Sequence, residues 1–326
     1  MTIQITIIGL GQIGTSMGLS LASQTGRIKR VGHDRVLGIQ NKAKSMGAFD
    51  VVHYNLPAAV EGADVVVLCI PLDQVEETLK FIAPDLREDA VVMDFSLQKA
   101  LVLKWFEQYI PSGRHYVGLV AAINSELLHQ PRSGIESARA DLFEKATIGI
   151  TAPFGTPGKA LELANDLVKI IGAKTIFLDV QEADGMMMMA HLLPQMMSVA
   201  LLNATVGQPG WTEARRFAGR PFAMSTASID DDPVEALEQI LLNNPTSASH
   251  ALDMAIGALT HLRDAVNKGD KADLEKRLHL AFDDHKKWLS ERQRAEWDEN
   301  PKNEMPSVGD ALKRMFLGDR SKPKEK

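Results

Sequence analysis

The chain has 326 residues, 45% of them hydrophobic and 24% charged, with a net charge of −6. That length suits two domains with real cores, and the charge argues against a nucleic-acid surface or an anionic membrane face. The one cysteine, Cys69, excludes an intrachain disulfide and a four-cysteine zinc site.

The first half alternates β-rich runs with helical stretches. QITIIGL reads as a strand and IGTSMGLSLASQT as a helix; RIKRVGHDR carries a second strand before the helical VLGIQNKAKSMGA. ADVVVLCIP is a third strand, all apolar, and places Cys69 as a buried, inert thiol. Then come the helix LDQVEETLKFIAPDL, the strand AVVMDFS, the helix LQKALVLKWFEQYI and the strands HYVGLVAAI and ATIGITAP. Strands apolar on both faces, alternating with helices, predict a doubly wound parallel α/β sheet covered on both sides.

After Pro153 the signal is helical apart from the short KTIFLDV, and includes the long apolar DGMMMMAHLLPQMMSVALLNATV with a proline inside. The pattern predicts a dinucleotide-binding domain over 1–153, an all-α domain over 154–300 and a polar tail over 301–326. No stretch approaches about 18 uninterrupted apolar residues. The opening residues lack the positive region of a signal peptide. A cytoplasmic protein with no membrane or nucleic-acid partner is therefore expected.

Gly9, Gly11 and Gly14 form G-x-G-x-x-G between the first strand and the first helix. Gly9 allows the tight turn, Gly11 lets the backbone approach a pyrophosphate and Gly14 lets helix and strand pack closely. The helix start, at Gln12 and Ile13, offers free amides and a positive dipole end to phosphate. Asp34 ends the next strand, where a carboxylate takes the adenosine ribose hydroxyls. It favours NAD over NADP, while the adjacent Arg35 offers a stack on adenine or a contact to a 2′-phosphate.

With these residues in place, the sequence resembles the prephenate/arogenate dehydrogenases of tyrosine biosynthesis. IIGLGQIGTSMGLSLA, ADVVVLCIPLDQVEETL, SGIESARADLFEKATIGITAP and RPFAMSTASIDDDPVEALEQILLNN carry the likeness over about the first 245 residues. It implies a Rossmann domain, a helical dimerising domain, a small anionic substrate and NAD(P)-dependent oxidation with loss of carbon dioxide. It also implies that the loop after the third strand, at Ile70 and Pro71, covers the cofactor.

The substrate half departs from the family. Asp94 and Lys99 fit its pattern, but Leu97 holds the serine position and Ser96 falls one residue early. Val120 and Ala121 replace a His-Pro pair whose histidine bonds the substrate hydroxyl, and Met224 replaces an arginine that holds a carboxylate. Along the helix, His191 falls at a family serine, Leu192 at a first histidine and Gln195 at a second. Hydride loss from a hydroxyl-bearing carbon needs a group to take the proton, and a dianion needs cations in a partly dry cleft. The residues left for this are His191 and Lys99 as catalytic groups, with Arg220, Ser96 and Asn124 toward substrate; no metal is expected. Two other functions stay open: a β-hydroxyacid-type dehydrogenase, which would want a lysine absent from DGMMMMAHLLPQMM, and a cofactor-binding sensor without turnover.

Overall fold

The computed structural model describes residues 2–130, 134–230, 232–295 and 297; the expected tail over 301–326 lies outside them. Eight strands form one sheet: β1 (Ile3–Ile8), β2 (Ile28–His33), β3 (Val51–Val52), β4 (Val65–Leu68), β5 (Val91–Asp94), β6 (His115–Ala121), β7 (Thr147–Thr151) and β8 (Lys174–Phe177). Their order is β3-β2-β1-β4-β5-β6-β7-β8. Every neighbouring pair is parallel except β6 with β7. The order reverses beside β1, the switch point where doubly wound sheets open a crevice at their carboxyl edge.

The helices of this half are α1 (Gln12–Ser20), α2 (Leu37–Ser45), α3 (Leu56–Val60), α4 (Leu72–Ile82), α5 (Lys99–Tyr109) and α6 (Gly158–Ile170). They cover both faces, which is why β4 is four consecutive buried apolar residues. Val65 and Val67 enter one apolar cluster with Met17 of α1 and Leu21 just after it, while Val66 and Leu68 enter the other with Leu72, Val75, Leu79 and Ile82 of α4. Alternation along the strand assigns the faces, and each such side chain contributes about 1.5–3 kcal/mol by burial.

The sheet continues past Pro153. α6 packs beside it, and β8 pairs in parallel with β7 from Thr147↔Lys174 to Ile150↔Phe177. The short KTIF run thus belongs to the sheet, because only an ordered neighbour can satisfy its backbone groups at this edge.

The helical half begins with a continuous rod, Val180–Thr205. It consists of α7 (Val180–Met187), a π turn (Met188–Leu192) and α8 (Leu193–Thr205). Pro194 sits in the first turn of α8; a proline inside a helix lacks its amide and crowds the carbonyl four residues back, and the π turn relieves both. Then follow α9 (Trp211–Ala214), α10 (Arg220–Thr226), α11 (Val234–Asn243), α12 (Pro245–Lys268) and α13 (Lys271–Arg294). By length and composition alone the rod is the one described helix able to cross a membrane, at a mean hydropathy of 1.4. Its Asp184, Gln195 and Ser198 are nonetheless buried and bonded inside the protein. Large apolar side chains stand exposed on α12 and α13, among them Met254, Ile256, Leu259, Leu280 and Phe282. The end of α13 returns to the first half: Arg292 donates to the Ile123 carbonyl at 2.8 Å and Lys174 to that of Ala295 at 3.0 Å.

Candidate active site

The three glycines are constrained in different ways. Gly9 has φ +92°, and a Cβ there would lie 2.4 Å from the Cys69 carbonyl oxygen. A Cβ on Gly14 would lie 2.0 Å from the Gly9 carbonyl oxygen, so strand and helix touch backbone to backbone. Gly11 has no atom within 4 Å of such a Cβ, so nothing in the fold itself fills that space. Gly11 caps α1 with no side-chain bond, and the first helical bond is Thr15 to its carbonyl. The amides of Gln12, Ile13 and Gly14 precede that bond and have no partner in the ladder. This is a cradle for an anion of pyrophosphate shape, and the residues fit a bound dinucleotide.

Asp34 stands just beyond β2. One carboxylate oxygen accepts from the Leu10 amide and the other from the Val36 amide, each at 2.8 Å. The glycine loop and this carboxylate are thereby held as one unit, with a lone pair on each oxygen left for a ribose hydroxyl. Arg35 is exposed and has no ion pair among the described residues. Ile70 and Pro71 are partly buried, directly after β4, and Ile70 Cγ2 lies 2.7 Å from the Cβ position of Gly9. The Gln12 amide group reaches the Ser137 carbonyl at 3.4 Å.

Lys99 does not line a cleft. It is completely buried at the start of α5, and its ammonium donates to the Asp94 carbonyl at 2.8 Å and carboxylate at 3.0 Å. Asp94, also fully buried, collects the Tyr116 hydroxyl at 2.5 Å, the Ser96 amide at 2.8 Å and the Ser96 hydroxyl. Burial pulls the Lys99 ammonium below its ordinary value, against Asp94, and pushes the Tyr116 and Cys69 groups up. Lys99 and Ser96 are thus both bonded to Asp94 and help shape the loop after β5. The packing depends on Gly118: a Cβ there would lie 2.6 Å from Lys99 Cδ and 2.4 Å from Thr151 Oγ1. Register sets Asp94, Gly118 and Thr151 in one row across the sheet.

Asn124 has a local task. Its side-chain oxygen caps a short 3-10 turn by accepting from the Glu126 amide at 3.1 Å, and its amide group reaches the Asp141 carbonyl at 3.3 Å. Arg220 is exposed at the first turn of α10, with no ion pair among the described residues. Val120 is buried, and Met224 is exposed.

The rod meets the sheet domain through Asp184. Its carboxylate accepts from the amides of Lys99 at 2.5 Å and Ala100 at 3.1 Å, capping α5 from another domain. The local cap residue, Gln98, makes no such bond; its side chain instead donates to the Ile240 carbonyl of α11 at 2.6 Å. Burial pushes the Asp184 carboxyl above its ordinary value, against the pull of the two amides and Lys99. Further along, Met188 and Leu192 enter the apolar cluster that holds Ile8 and Leu68, the last residues of β1 and β4, with Ile70 and Leu97 packed on it. The π turn thus joins the apolar layer on the face of the sheet covered by α4 and α5. His191, on that turn, is partly exposed, and its Nε2 lies 3.3 Å from a carboxylate oxygen of Asp232; Gln195 donates to the same oxygen at 2.8 Å.

Of the residues expected to act, the fold gathers the glycine loop, Asp34, Ile70 and Pro71 at one edge and sets His191 on the π turn of the rod, against Asp232. It gives Lys99, Ser96 and Asn124 internal work. Asp184, Tyr116 and Asp232 were not singled out from sequence. The aspartates in ASIDDDP were the one local sign of Asp232, and nothing local points to Tyr116.

An open glycine loop at the switch point of a doubly wound sheet, with a carboxylate at the end of the next strand, defines a dinucleotide-binding protein. Residues 17–177 match the nucleotide-binding domain of prephenate dehydrogenase and residues 179–280 its dimerization domain. The chain belongs to the prephenate dehydrogenase family, and is an NAD(P)-dependent dehydrogenase. A cyclohexadienyl dehydrogenase of Zymomonas mobilis is 24% identical over 268 residues, covering 82% of this chain and 89% of that one. A prephenate dehydrogenase of Lactococcus lactis is 26% identical over 251 residues, 73% of this chain and 67% of that one. The fold matches prephenate dehydrogenase from A. aeolicus, solved with hydroxyphenyl propionate and NAD+, at a TM-score of 0.76 and 21% identity, over 88% of this chain and 98% of that one. It also matches Synechocystis arogenate dehydrogenase at 0.68 and 21%, over 88% and 100%.

Proposed function

We propose that the protein oxidises a cyclohexadienyl acid of the prephenate/arogenate class in tyrosine biosynthesis. The observation that carries this reading is the open anion cradle at Gly11, tied through the Leu10 amide to the Asp34 carboxylate. The cofactor is held by Gly9, Gly11, Gln12, Ile13 and Gly14 at its phosphates and by Asp34 at its ribose. When bound, NAD+ supplies the hydride acceptor. A 2′-phosphate would meet the Asp34 carboxylate, which supports NAD over NADP.

His191 takes the proton of the ring hydroxyl as the carbon beneath it loses hydride. The ring carboxylate then leaves as carbon dioxide, its electron pair completes the aromatic ring, and the proton returns to the phenolic oxygen. Arg220, exposed and unpaired among the described residues, is the cation proposed for a substrate carboxylate. Lys99 and Ser96 are left out of this scheme because both are buried against Asp94. A second copy of the chain covers the apolar faces of α12 and α13, giving a cytoplasmic homodimer.

The test is reduced-nicotinamide absorbance with prephenate and arogenate, each with NAD and NADP. Turnover on either acid supports the reading. Tight NAD binding with no turnover on both would favour a sensor, which the loss of cationic and basic groups at Val120 and Met224 would also fit.

A further inference from the structure

The His191 ring is not alone. Its Nε2 faces Asp232, which approaches from the segment between α10 and α11, and its Nδ1 has no hydrogen bond among the described residues. Burial pushes the Asp232 carboxyl up, but the bonds from His191 and Gln195 outweigh it and hold the group below its ordinary value. An ionised carboxylate only accepts hydrogen bonds, so the proton shared across the 3.3 Å contact belongs to His191 Nε2. Gln195 donates to the same carboxylate oxygen at 2.8 Å and is itself fully buried, which fixes where Asp232 stands.

We propose that Asp232 is a positioning residue: it locks the His191 imidazole with its proton on Nε2 and leaves the Nδ1 lone pair facing away from the pair, as the base for the substrate hydroxyl. This rests on the dehydrogenase reading above and deepens it. An imidazole free to exchange tautomers offers its lone pair on the wrong nitrogen part of the time and must be reoriented for each turnover. A carboxylate bonded to one nitrogen removes both losses and stabilises the imidazolium that forms when the other nitrogen takes a proton. The arrangement needs residues 191, 195 and 232 together, on the rod and the loop that crosses it.

Two measurements test it. Ring nitrogen NMR of His191, on the full chain with the ring neutral and no substrate present, reads the tautomer directly. The expected result is the Nε2–H form in the wild type and a mixed population in Asp232→Asn, with NAD affinity unchanged as the check on folding. An Nδ1–H or mixed ring in the wild type overturns the proposal.

Kinetics supply the second arm. Asp232→Asn should lower kcat by about tenfold or more, toward the ~10²–10⁴-fold that a positioned base supplies, with KM little changed, and Asp232→Glu should recover part of it. In a His191→Ala background the same substitution should cost nothing further, because Asp232 acts only through the ring. A full additional loss in that background overturns the proposal in favour of a structural role. If the wild type turns over neither acid, the dehydrogenase reading fails on its own, while the NMR arm still decides whether Asp232 fixes the ring.

Discussion

Asp184 on the first helix of the second domain caps the helix that begins at Lys99 in the first domain, bonding the amides of Lys99 and Ala100. No side chain within α5 does this work. Asp184→Ala removes a buried acceptor and strands two amides, so it should cost about 1–3 kcal/mol in urea unfolding. Asp184→Asn, which keeps one acceptor oxygen, should cost less. Equal stability of wild type and Asp184→Ala would show that water replaces the cap.

Lys99→Met gives a larger effect. The aliphatic stem is replaced in kind, but Asp94 keeps its buried carboxylate without a cation, a situation worth about 3–5 kcal/mol. Gly118→Ala strikes the same place by volume, since its methyl overlaps the Lys99 stem and the Thr151 hydroxyl. Overpacking of this kind costs about 1–3 kcal/mol. Thermal unfolding of both variants, with Lys99→Met the weaker fold, is the expected order.

The glycines separate folding from binding. Gly11→Val meets open space at an unstrained φ of −71°, so stability should stay within about 1 kcal/mol while NAD binding disappears in calorimetry. Gly14→Ala drives a methyl into the Gly9 carbonyl and should damage both. Retained NAD affinity in Gly11→Val would remove the cradle from the site.

A pH prediction follows from Arg30, which is buried and bonds Asp50 at 2.6 Å while also donating to the carbonyls of Gly18, Gly47 and Ala48. The guanidinium bond holds the Asp50 carboxyl below its ordinary value, against some burial. A depressed carboxylate adds stability above its unfolded value, near 3.9. That increment is lost as pH falls through the lower folded value. The stability gap between wild type and Asp50→Asn should therefore be full at neutral pH and close only in acid below about pH 4. A gap independent of pH would assign the effect to packing.

The sheet, the glycine loop and the Asp34 position were legible because each is written within a dozen or so neighbouring residues: a valine run, a strand–glycine–helix junction, an acid at the next strand end. The burial of Lys99, expected as a catalytic group, is decided across the sheet, by the missing side chain of Gly118 and the hydroxyl of Tyr116. Asn124 looked like a substrate donor, although asparagine before a polar turn is equally a local cap. Asp232 meets His191 only because α10 and the following turn fold back over α8, through Ser198 bonded to the Ser225 carbonyl and the Ser228 hydroxyl. KTIFLDV stands apart from the helical signal around it, but four residues carry too little periodic signal to pair β8 with β7 from sequence alone.

The π turn at Met188–Leu192 also sets how this helix tolerates changes in length. A π turn holds one residue more than an α turn. A deletion elsewhere in the rod would swing every later side chain by about 100°, parting Gln195 and Ser198 from their partners. A deletion at Met189 could be absorbed by tightening the turn, but Pro194 would then press on a carbonyl of the preceding turn. Spare residue and proline are thus matched. Shortening the helix at this point without losing its register requires replacing Pro194 as well.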